Sequence, residues 1–276
     1  MSKIAYDPVK DGFAGFIKRN RFLRTIFYNL LDLFFLRSWH VRKVVRDLAK
    51  HEFAAKPVVS IFDAGCGFGQ YDRFLLNDIP NARVRSVDVK KDYLEDCEYY
   101  FKDEVEKGFI SFRQEDLLEL ENEEPKHDLA IIIDVLEHIE EDVKVMRNVG
   151  RSLKSGGFFL MHSPSHLAEE DAGDDEFFVD EHARAGYSRK DISDKLQEAG
   201  LQPVQVHYTY GKWGHAAWVM LIKWPMLWLT KVGVIGSILL PFYYLPTLPL
   251  GLLFMKMDVS GDNDKGTGIY ALAVKP

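Results

Sequence analysis

The sequence predicts an α/β fold with a doubly wound, mostly parallel sheet, and three observations carry this prediction. Short apolar, β-branched runs recur along residues 58–164, and segments with helical spacing separate them. The first run, residues 58–62, passes directly into a glycine-rich stretch that a helical pattern follows. Such an alternation of strand and helix is typical of a parallel sheet covered by helices.

The glycine-rich stretch after the first strand has the shape of a nucleotide-binding turn. Asp63, Gly65, Gly67 and Gly69 follow the strand in a D-x-G-x-G-x-G pattern. Glycines adopt positive φ at little cost and allow a ligand to approach the backbone closely. Gln70 stands next, so the dinucleotide fingerprint G-x-G-x-x-G is not met.

Acidic residues end the next two predicted strands. Residues 83–89 form a second strand that reaches Asp88, where one carboxylate can accept both hydroxyls of a ribose. Residues 109–118 contain a third strand, and Asp116 lies just beyond its end. Both acids therefore belong to the carboxyl edge of the predicted sheet.

Two more strands extend this edge. Residues 127–139 give a fourth strand with Asp134, Glu137 and His138 at its exit, and residues 153–165 give a turn and a fifth strand. Strands over residues 201–210 and 266–274 complete the predicted sheet.

The predicted helices are less regular. One covers about residues 92–107 on the outside of the sheet. A second, residues 137–153, would end at Gly156 and Gly157, a typical C-terminal stop signal. Ser188 is a suitable N-cap for a third, residues 189–199.

This ordered set of motifs resembles the class I S-adenosylmethionine-dependent methyltransferases, and most closely their type 11 group. The resemblance covers residues 58–200 and the last strand. It implies a seven-stranded Rossmann-like methyltransferase fold, with S-adenosyl-L-methionine as cofactor and S-adenosyl-L-homocysteine as product. It also implies that an acid in the position of Asp116 contacts the adenine amino group. The implied cofactor-binding residues are Asp63, Gly65, Cys66, Gly67, Gly69, Asp88, Val89, Asp116, Leu117, Asp134, Val135 and His138.

Residues 181–188 read EHARAGYS after a stretch with eight acids and no Lys or Arg in residues 165–183. Similar methyltransferases carry a loop here, often E-H-x-R-x-G-Y-S, that closes over the substrate. The resemblance implies that His182, Arg184 and Tyr187 face the acceptor pocket. The alternative is a solvated acidic loop in which His182 is structural.

Methyl transfer is an in-line displacement in which the protein aligns the reactants and a base removes the acceptor's proton. The candidate catalytic residues are His182, Tyr187, His166 and His138. Histidine suits this role near neutral pH, although His138 could instead cap a helix. A fifth candidate, His162 on the fifth strand, could instead be a core residue. No converging acids indicate a metal, so none is expected.

Residues 10–50 combine ten Lys or Arg with three acids, and apolar residues with helical spacing lie between them. A basic helix rich in aromatics favours a membrane surface, and a helical lid over the pocket is an equal alternative. The whole chain has a net charge of −7, so the remainder is acidic and nucleic acid is not expected as a partner.

The segment before the last strand is the second unusual region. Residues 232–255 contain no charged residue, yet Pro241, Pro246 and Pro249 interrupt them. The strands on either side are expected to pair, so a single membrane crossing would separate them. We therefore expect a monotopic anchor, with a buried hairpin or an oligomer interface as alternatives.

Three regions follow from these observations. Residues 1–50 form a basic helical segment, 51–211 with 264–276 a methyltransferase domain, and 212–263 an apolar insertion.

The expected function is methyl transfer to a lipophilic small molecule, such as a quinone precursor, a phenolic or polyene lipid, or a polyprenoid. The expected location is the inner face of the cytoplasmic membrane, on anionic lipid, because the two cysteines indicate a reducing compartment. The alternatives are a methyltransferase for a soluble metabolite, with the insertion as a homo-oligomer interface, and a non-catalytic S-adenosylmethionine-binding partner protein.

Overall fold

The computed structural model describes residues 20–120, 124–168, 183–233 and 238–276. Its seven-stranded sheet has the order β3-β2-β1-β4-β5-β7-β6. The strands up to β5 pair in parallel, and β7 lies antiparallel between β5 and β6. The predicted doubly wound, mostly parallel sheet is confirmed. The strands are β1 Val59–Ala64, β2 Ala82–Asp88, β3 Ile110–Gln114, β4 His127–Ile133, β5 Leu153–Pro164, β6 Gln202–Thr209 and β7 Gly268–Val274.

Helices pack on both faces of the sheet. One face carries α1 (Arg21–Phe34), α2 (Leu36–His51), α3 (Gln70–Asp78), α4 (Lys91–Tyr100) and α5 (Lys102–Glu106). The other face carries α6 (Asp142–Arg151) and α7 (Arg189–Glu198), and a short 3-10 turn, Leu136–His138, precedes α6.

The core forms because successive strand residues point to opposite faces of the sheet. On β1, Ile61 packs in the cluster beneath α1 to α4, whereas Phe62 packs beneath α6 and α7, and both are fully buried. Each large side chain buried in this way stabilises the fold by about 1.5–3 kcal/mol. The two clusters hold the carboxyl ends of β1, β2 and β4 in fixed relation.

Two predicted helix boundaries were wrong. The helix predicted over residues 137–153 covers only α6. Its last predicted residue, Leu153, is instead the first residue of β5, where it pairs with His127 and is buried. The single helix predicted after Asp88 is divided into α4 and α5 at Phe101, whose backbone leaves helical geometry. By contrast, Ser188 caps α7 as predicted, since its hydroxyl accepts the N–H of Asp191 at 3.1 Å.

The insertion between β6 and β7 is a helical hairpin. One arm consists of α8 (Lys212–Trp218), a π-helical turn (Val219–Lys223) and α9 (Trp224–Val232), and α10 (Leu240–Ser260) returns as the second arm. The arms approach closely at Gly251, where a Cβ atom would lie 2.6 Å from Leu221. The hairpin base packs on Leu36, the first residue of α2.

Among the residues that the structure describes, none of the helices combines the length and the apolarity needed to cross a membrane.

Candidate active site

The glycine loop between β1 and α3 forms the floor of the site. Gly65, Gly67 and Gly69 all have positive φ, as the D-x-G-x-G-x-G pattern requires. A Cβ on Gly65 would lie 2.5 Å from Cγ2 of Val135, so the loop and the exit of β4 touch there. At Gly67, apart from its two chain neighbours, none of the described residues has an atom within 4 Å of the Cβ position, so the backbone there can accommodate a ligand. Cys66 is buried beneath the loop.

Asp88 lies beside this loop at the end of β2. Its Oδ2 accepts the N–H of Gly67 at 2.9 Å, and its Oδ1 accepts the N–H of Lys90 at 2.9 Å. Each carboxylate oxygen can accept more than one hydrogen bond, so both retain capacity for a ligand hydroxyl. The carboxylate therefore orders the loop and remains able to bind a ribose.

Asp63 has a different environment from Asp88. It is 2% exposed, and among the described residues its Oδ2 has no hydrogen-bond partner. Burial, and then the neighbouring carboxyl of Asp72, hold the pKa of Asp63 well above its usual range. Burial likewise raises the pKa of Asp72 to about 7, although Ser86 donates to its Oδ1 at 2.6 Å. Two neighbouring buried carboxyls thus support the loop from below, and burial disfavours the charged form of each.

The residues expected at the adenine lie at the ends of β2 and β3. Val89 is 47% exposed beside Asp88, and Asp116 is exposed with its Oδ1 accepting the N–H of Leu118 at 2.9 Å. Leu117 is buried and packs in the core instead. Val89 and Asp116 are therefore accessible to an adenine at this edge of the sheet.

The exit of β4 carries a charged cluster that includes a residue from the N-terminal helices. Asp134 has a positive φ of 54°, which is uncommon for a residue with a side chain. Its carboxylate pairs with the guanidinium of Arg37 and with Nδ1 of His162, the latter at 2.8 Å. His162 Nε2 lies 3.1 Å from Oγ1 of Thr209, so this buried imidazole is occupied at both nitrogens.

Glu137 extends the cluster into the core. It is 1% exposed, and Ser163 donates to its Oε2 at 2.9 Å. Burial, and then the charge of Asp134, raise the pKa of Glu137 to about 8. Glu137 is therefore protonated at neutral pH.

The four candidate catalytic residues have very different surroundings. His138 is half-buried in the 3-10 turn beside Val135, and His166 is exposed after the end of β5, with its ring near Tyr208. Both lie at the carboxyl edge of the sheet. His182 lies outside the described residues.

Tyr187 does not meet the expectation that it faces an open pocket. It is fully buried, and its hydroxyl donates to Oδ2 of Asp142 at 2.8 Å while accepting from Arg184 at 3.2 Å. Asp142 begins α6, so this phenol holds the segment before α7 against α6. The sequence pattern could not reveal the long-range partner that draws Tyr187 into the core.

Most of the described arginines in the N-terminal helices interact with other groups of the protein. Within the described part of this segment, Arg24 is buried, and it donates to the carbonyl of Phe68 in the glycine loop at 2.8 Å. Four other arginines form ion pairs, and only part of the predicted basic surface is left to solvent. The pairs are Arg21–Asp103, Arg37–Asp134, Arg42–Asp32 and Arg46–Asp78.

Comparisons with known proteins agree with this geometry. Residues 62–159 match the family described as Methyltransferase domain. The match covers about a third of the chain and supports assigning this part to the S-adenosylmethionine-dependent methyltransferases. The matched residues contain the glycine loop, Asp88, and the exit of β4.

Among curated proteins, a malonyl-[acyl-carrier protein] O-methyltransferase of Acetivibrio thermocellus is 26% identical over 113 residues. The match covers 41% of this chain and 38% of that protein, so it spans well under half of either.

Two solved structures show the same fold over most of their length. A putative sarcosine dimethylglycine methyltransferase from Galdieria sulphuraria has a TM-score of 0.54 at 17% identity, covering 84% of each chain. A geranyl diphosphate methyltransferase in complex with S-adenosylmethionine has a TM-score of 0.51 at 14% identity, covering 85% of each chain. Likenesses at this identity concern the fold alone.

The described residues fit the expected cofactor at three independent points. The open backbone above Gly67 admits a ligand, Asp88 can accept two hydroxyls, and Val89 offers an exposed apolar surface. In the same described ranges, no group of three or more His, Cys, Asp or Glu residues is placed to hold a metal ion.

Proposed function

We propose that the protein transfers the methyl group of S-adenosyl-L-methionine to a lipophilic small molecule at a membrane surface. The cofactor supplies an electrophilic methyl group, while the protein aligns the acceptor and excludes water. The apolar hairpin is the observation that supports a lipophilic acceptor. It exposes large apolar side chains, and its base packs against α2, the helix that contains Arg37.

The hairpin exposes large apolar residues that the described parts of the chain do not cover. Ile238, Phe242 and Leu245 are 68%, 72% and 78% exposed, and Trp224 is 58% exposed. Clusters of this kind mark contact with a membrane or a protein. An apolar partner would stabilise this surface, because each of these side chains gains about 1.5–3 kcal/mol on full burial.

A lipid leaflet suits the shape of this hairpin. The 21 residues of α10 extend about 31 Å, and both arms return to β6 and β7, which pair with each other. The hairpin tip can therefore enter the hydrocarbon while the sheet stays on one side of the membrane. Pro246 and Pro249 lie within α10, as is tolerated where neighbouring groups satisfy the backbone.

The hairpin also adjoins the acceptor side of the domain. Leu36 packs in the apolar cluster at the hairpin base, and the next residue, Arg37, pairs with Asp134 at the exit of β4. A lipophilic acceptor that enters along the hairpin would reach the carboxyl edge of the sheet without crossing bulk water. His166 and His138 lie at that edge and are our candidates for the base that removes the acceptor's proton.

The comparisons are compatible with a lipid-related acceptor. One relative is named for a malonyl group on acyl carrier protein. That name supports the proposal without identifying the acceptor of this protein, because the match covers less than half of either chain.

Vesicle flotation of the full chain tests the membrane part. Phe242→Gln with Leu245→Gln removes two side chains that are each about three-quarters exposed. At about 1.5–3 kcal/mol for each complete burial, partitioning should fall at least thirtyfold. Val204→Gln is the matched control, since Val204 is 54% exposed on β6, away from the hairpin.

Two outcomes would contradict the lipid proposal. One is a wild-type protein that stays in solution with anionic and neutral vesicles alike. The other is a stable dimer that the Phe242 and Leu245 substitutions dissociate, since it would make the hairpin a protein interface.

A further inference from the structure

We propose that α1 binds a lipid leaflet through its outer face and the glycine loop through its inner face, so that contact with a membrane strengthens cofactor binding. This assignment rests on the proposed function. It adds a second lipid-binding element to the hairpin and gives the membrane a regulatory role at the cofactor site.

The outer face of α1 is apolar and exposed. Phe22, Ile26 and Leu30 follow one another at intervals of four residues, which places them on one side of the helix. Their exposed fractions are 71%, 39% and 47%. A row of large apolar side chains on the surface of a helix is typical of contact with a membrane or a protein.

The charges of α1 are engaged within the protein. The helix contains three charged residues: Arg21 pairs with Asp103, Arg24 is buried, and Asp32 pairs with Arg42. The exposed row is formed by uncharged side chains. Such a surface suits the apolar part of a lipid leaflet better than a charged partner.

The exposed row adjoins the hairpin. Phe34, the last residue of α1, packs its ring against Tyr244 of α10, with the two ring centroids 5.5 Å apart. Tyr244 lies between Phe242 and Leu245, which are 72% and 78% exposed. A leaflet that receives the hairpin therefore lies next to α1 as well, and this continuity favours lipid over a second copy of the chain.

The inner face of α1 holds the glycine loop. Arg24 follows Phe22 by two residues, which corresponds to about 200° of rotation and places it on the opposite side of the helix. Arg24 donates to the carbonyl of Phe68 at 2.8 Å, and the hydroxyl of Tyr28 donates to the same carbonyl. Arg24 also donates to the carbonyl of Asp96 on α4 at 2.5 Å. One helix thus fixes the loop against α4.

A single non-helical residue joins α1 to α2. Phe35 has extended backbone angles, φ −95° and ψ 109°, so the two helices are separate units. The position of α1 therefore depends on its own contacts. A leaflet that binds both the exposed row and the hairpin fixes α1 relative to the domain and stabilises the loop. By reciprocity, bound cofactor should strengthen lipid binding by the same factor.

Titration of S-adenosylhomocysteine into the full chain, with and without vesicles of phosphatidylcholine and phosphatidylglycerol, tests this coupling. For the wild type, excess vesicles should raise the affinity about fivefold or more. Phe22→Gln with Leu30→Gln should bind the ligand like the wild type without vesicles, and its gain with vesicles should fall below about twofold. Val204→Gln is the matched control and should keep the full gain, since Val204 is 54% exposed on β6.

Tyr28→Phe tests the inner face and leaves the outer face unchanged. It removes only the hydroxyl that donates to Phe68, so the variant should still float with vesicles while its gain in affinity falls. A Tyr28→Phe protein with the full gain would overturn the coupling through this face.

Other results would overturn the inference in distinguishable ways. A wild type that floats with vesicles, yet binds S-adenosylhomocysteine with unchanged affinity, removes the coupling and leaves the proposed function intact. A Phe22 and Leu30 variant that melts below the wild type without lipid, or that dissociates a dimer, would show that protein covers the exposed row. A wild type that ignores vesicles contradicts the membrane part of the proposed function as well, and one that binds no S-adenosylhomocysteine contradicts its cofactor.

Discussion

Replacing Asp88 by alanine should weaken cofactor binding more than a loss of ribose contacts alone predicts. The carboxylate accepts the N–H groups of Gly67 and Lys90, both at 2.9 Å, and the alanine variant leaves both donors without this acceptor. Losing a charge-assisted contact to the ribose costs about 1.5–3 kcal/mol, and loosening the loop adds about 0.5–1.5 kcal/mol. The sum, about 2–4.5 kcal/mol, corresponds to a roughly 30-fold to 2000-fold loss of affinity.

Isothermal titration of S-adenosylhomocysteine into the two proteins measures this loss. Glu98→Ala is a suitable control, since Glu98 is an exposed carboxylate on α4, the helix that follows β2. An Asp88→Ala protein that melts like the wild type and binds the ligand with unchanged affinity would refute the assignment of this carboxylate.

Three further predictions follow from the geometry. Gly65→Ala should destabilise the fold by about 2 kcal/mol or more, because φ is +85° and Val135 occupies the Cβ position; an unchanged melting temperature would contradict this. The pKa of Glu137 is raised to about 8, so the native state keeps a proton that the unfolded chain releases above its ordinary pKa of 4.5. Between about pH 5 and pH 8 the wild type loses the stability that this proton confers, whereas the Glu137→Gln variant has no such proton to lose. The stability of the variant relative to the wild type should therefore increase over this range. Melting temperatures of the two proteins that change in parallel with pH would contradict this. Finally, vesicle binding should depend little on salt, since the described arginines of α1 and α2 already pair with carboxylates or backbone carbonyls of the protein. A tenfold drop between about 0.05 and 0.5 M salt would contradict this and favour an electrostatic mechanism.

The features that the sequence could predict are those with local signals. The strand ends at Asp88 and the positive φ of the glycine loop follow from β-branched runs and from glycine spacing, and the structure has both. The cap at Ser188 is equally local. Each of these depends on residues within one turn or strand, so a single sequence contains the information.

The features that the sequence could not predict depend on distant partners. Arg37 lies 97 positions before Asp134, and nothing in the basic composition of residues 10–50 distinguishes it from arginines that pair elsewhere. Tyr187 was expected in the pocket because its motif resembles a substrate loop. Its side chain instead lies in the core, where the hydroxyl donates a hydrogen bond to Asp142. Leu153 likewise joins β5 because His127 pairs with it, against the helical spacing before it.

The most direct test of the central claim is methyl transfer into lipid. The full chain would be incubated with S-adenosylmethionine labelled on its methyl group and with vesicles made from a lipid extract of the source cells, and label would be counted in the organic phase. We expect the wild type and Val204→Gln to transfer label to lipid at the same rate. The variant with both Phe242→Gln and Leu245→Gln should transfer it much more slowly. The proposal is contradicted if label enters only water-soluble compounds, or if the hairpin variant transfers it to lipid as fast as the wild type.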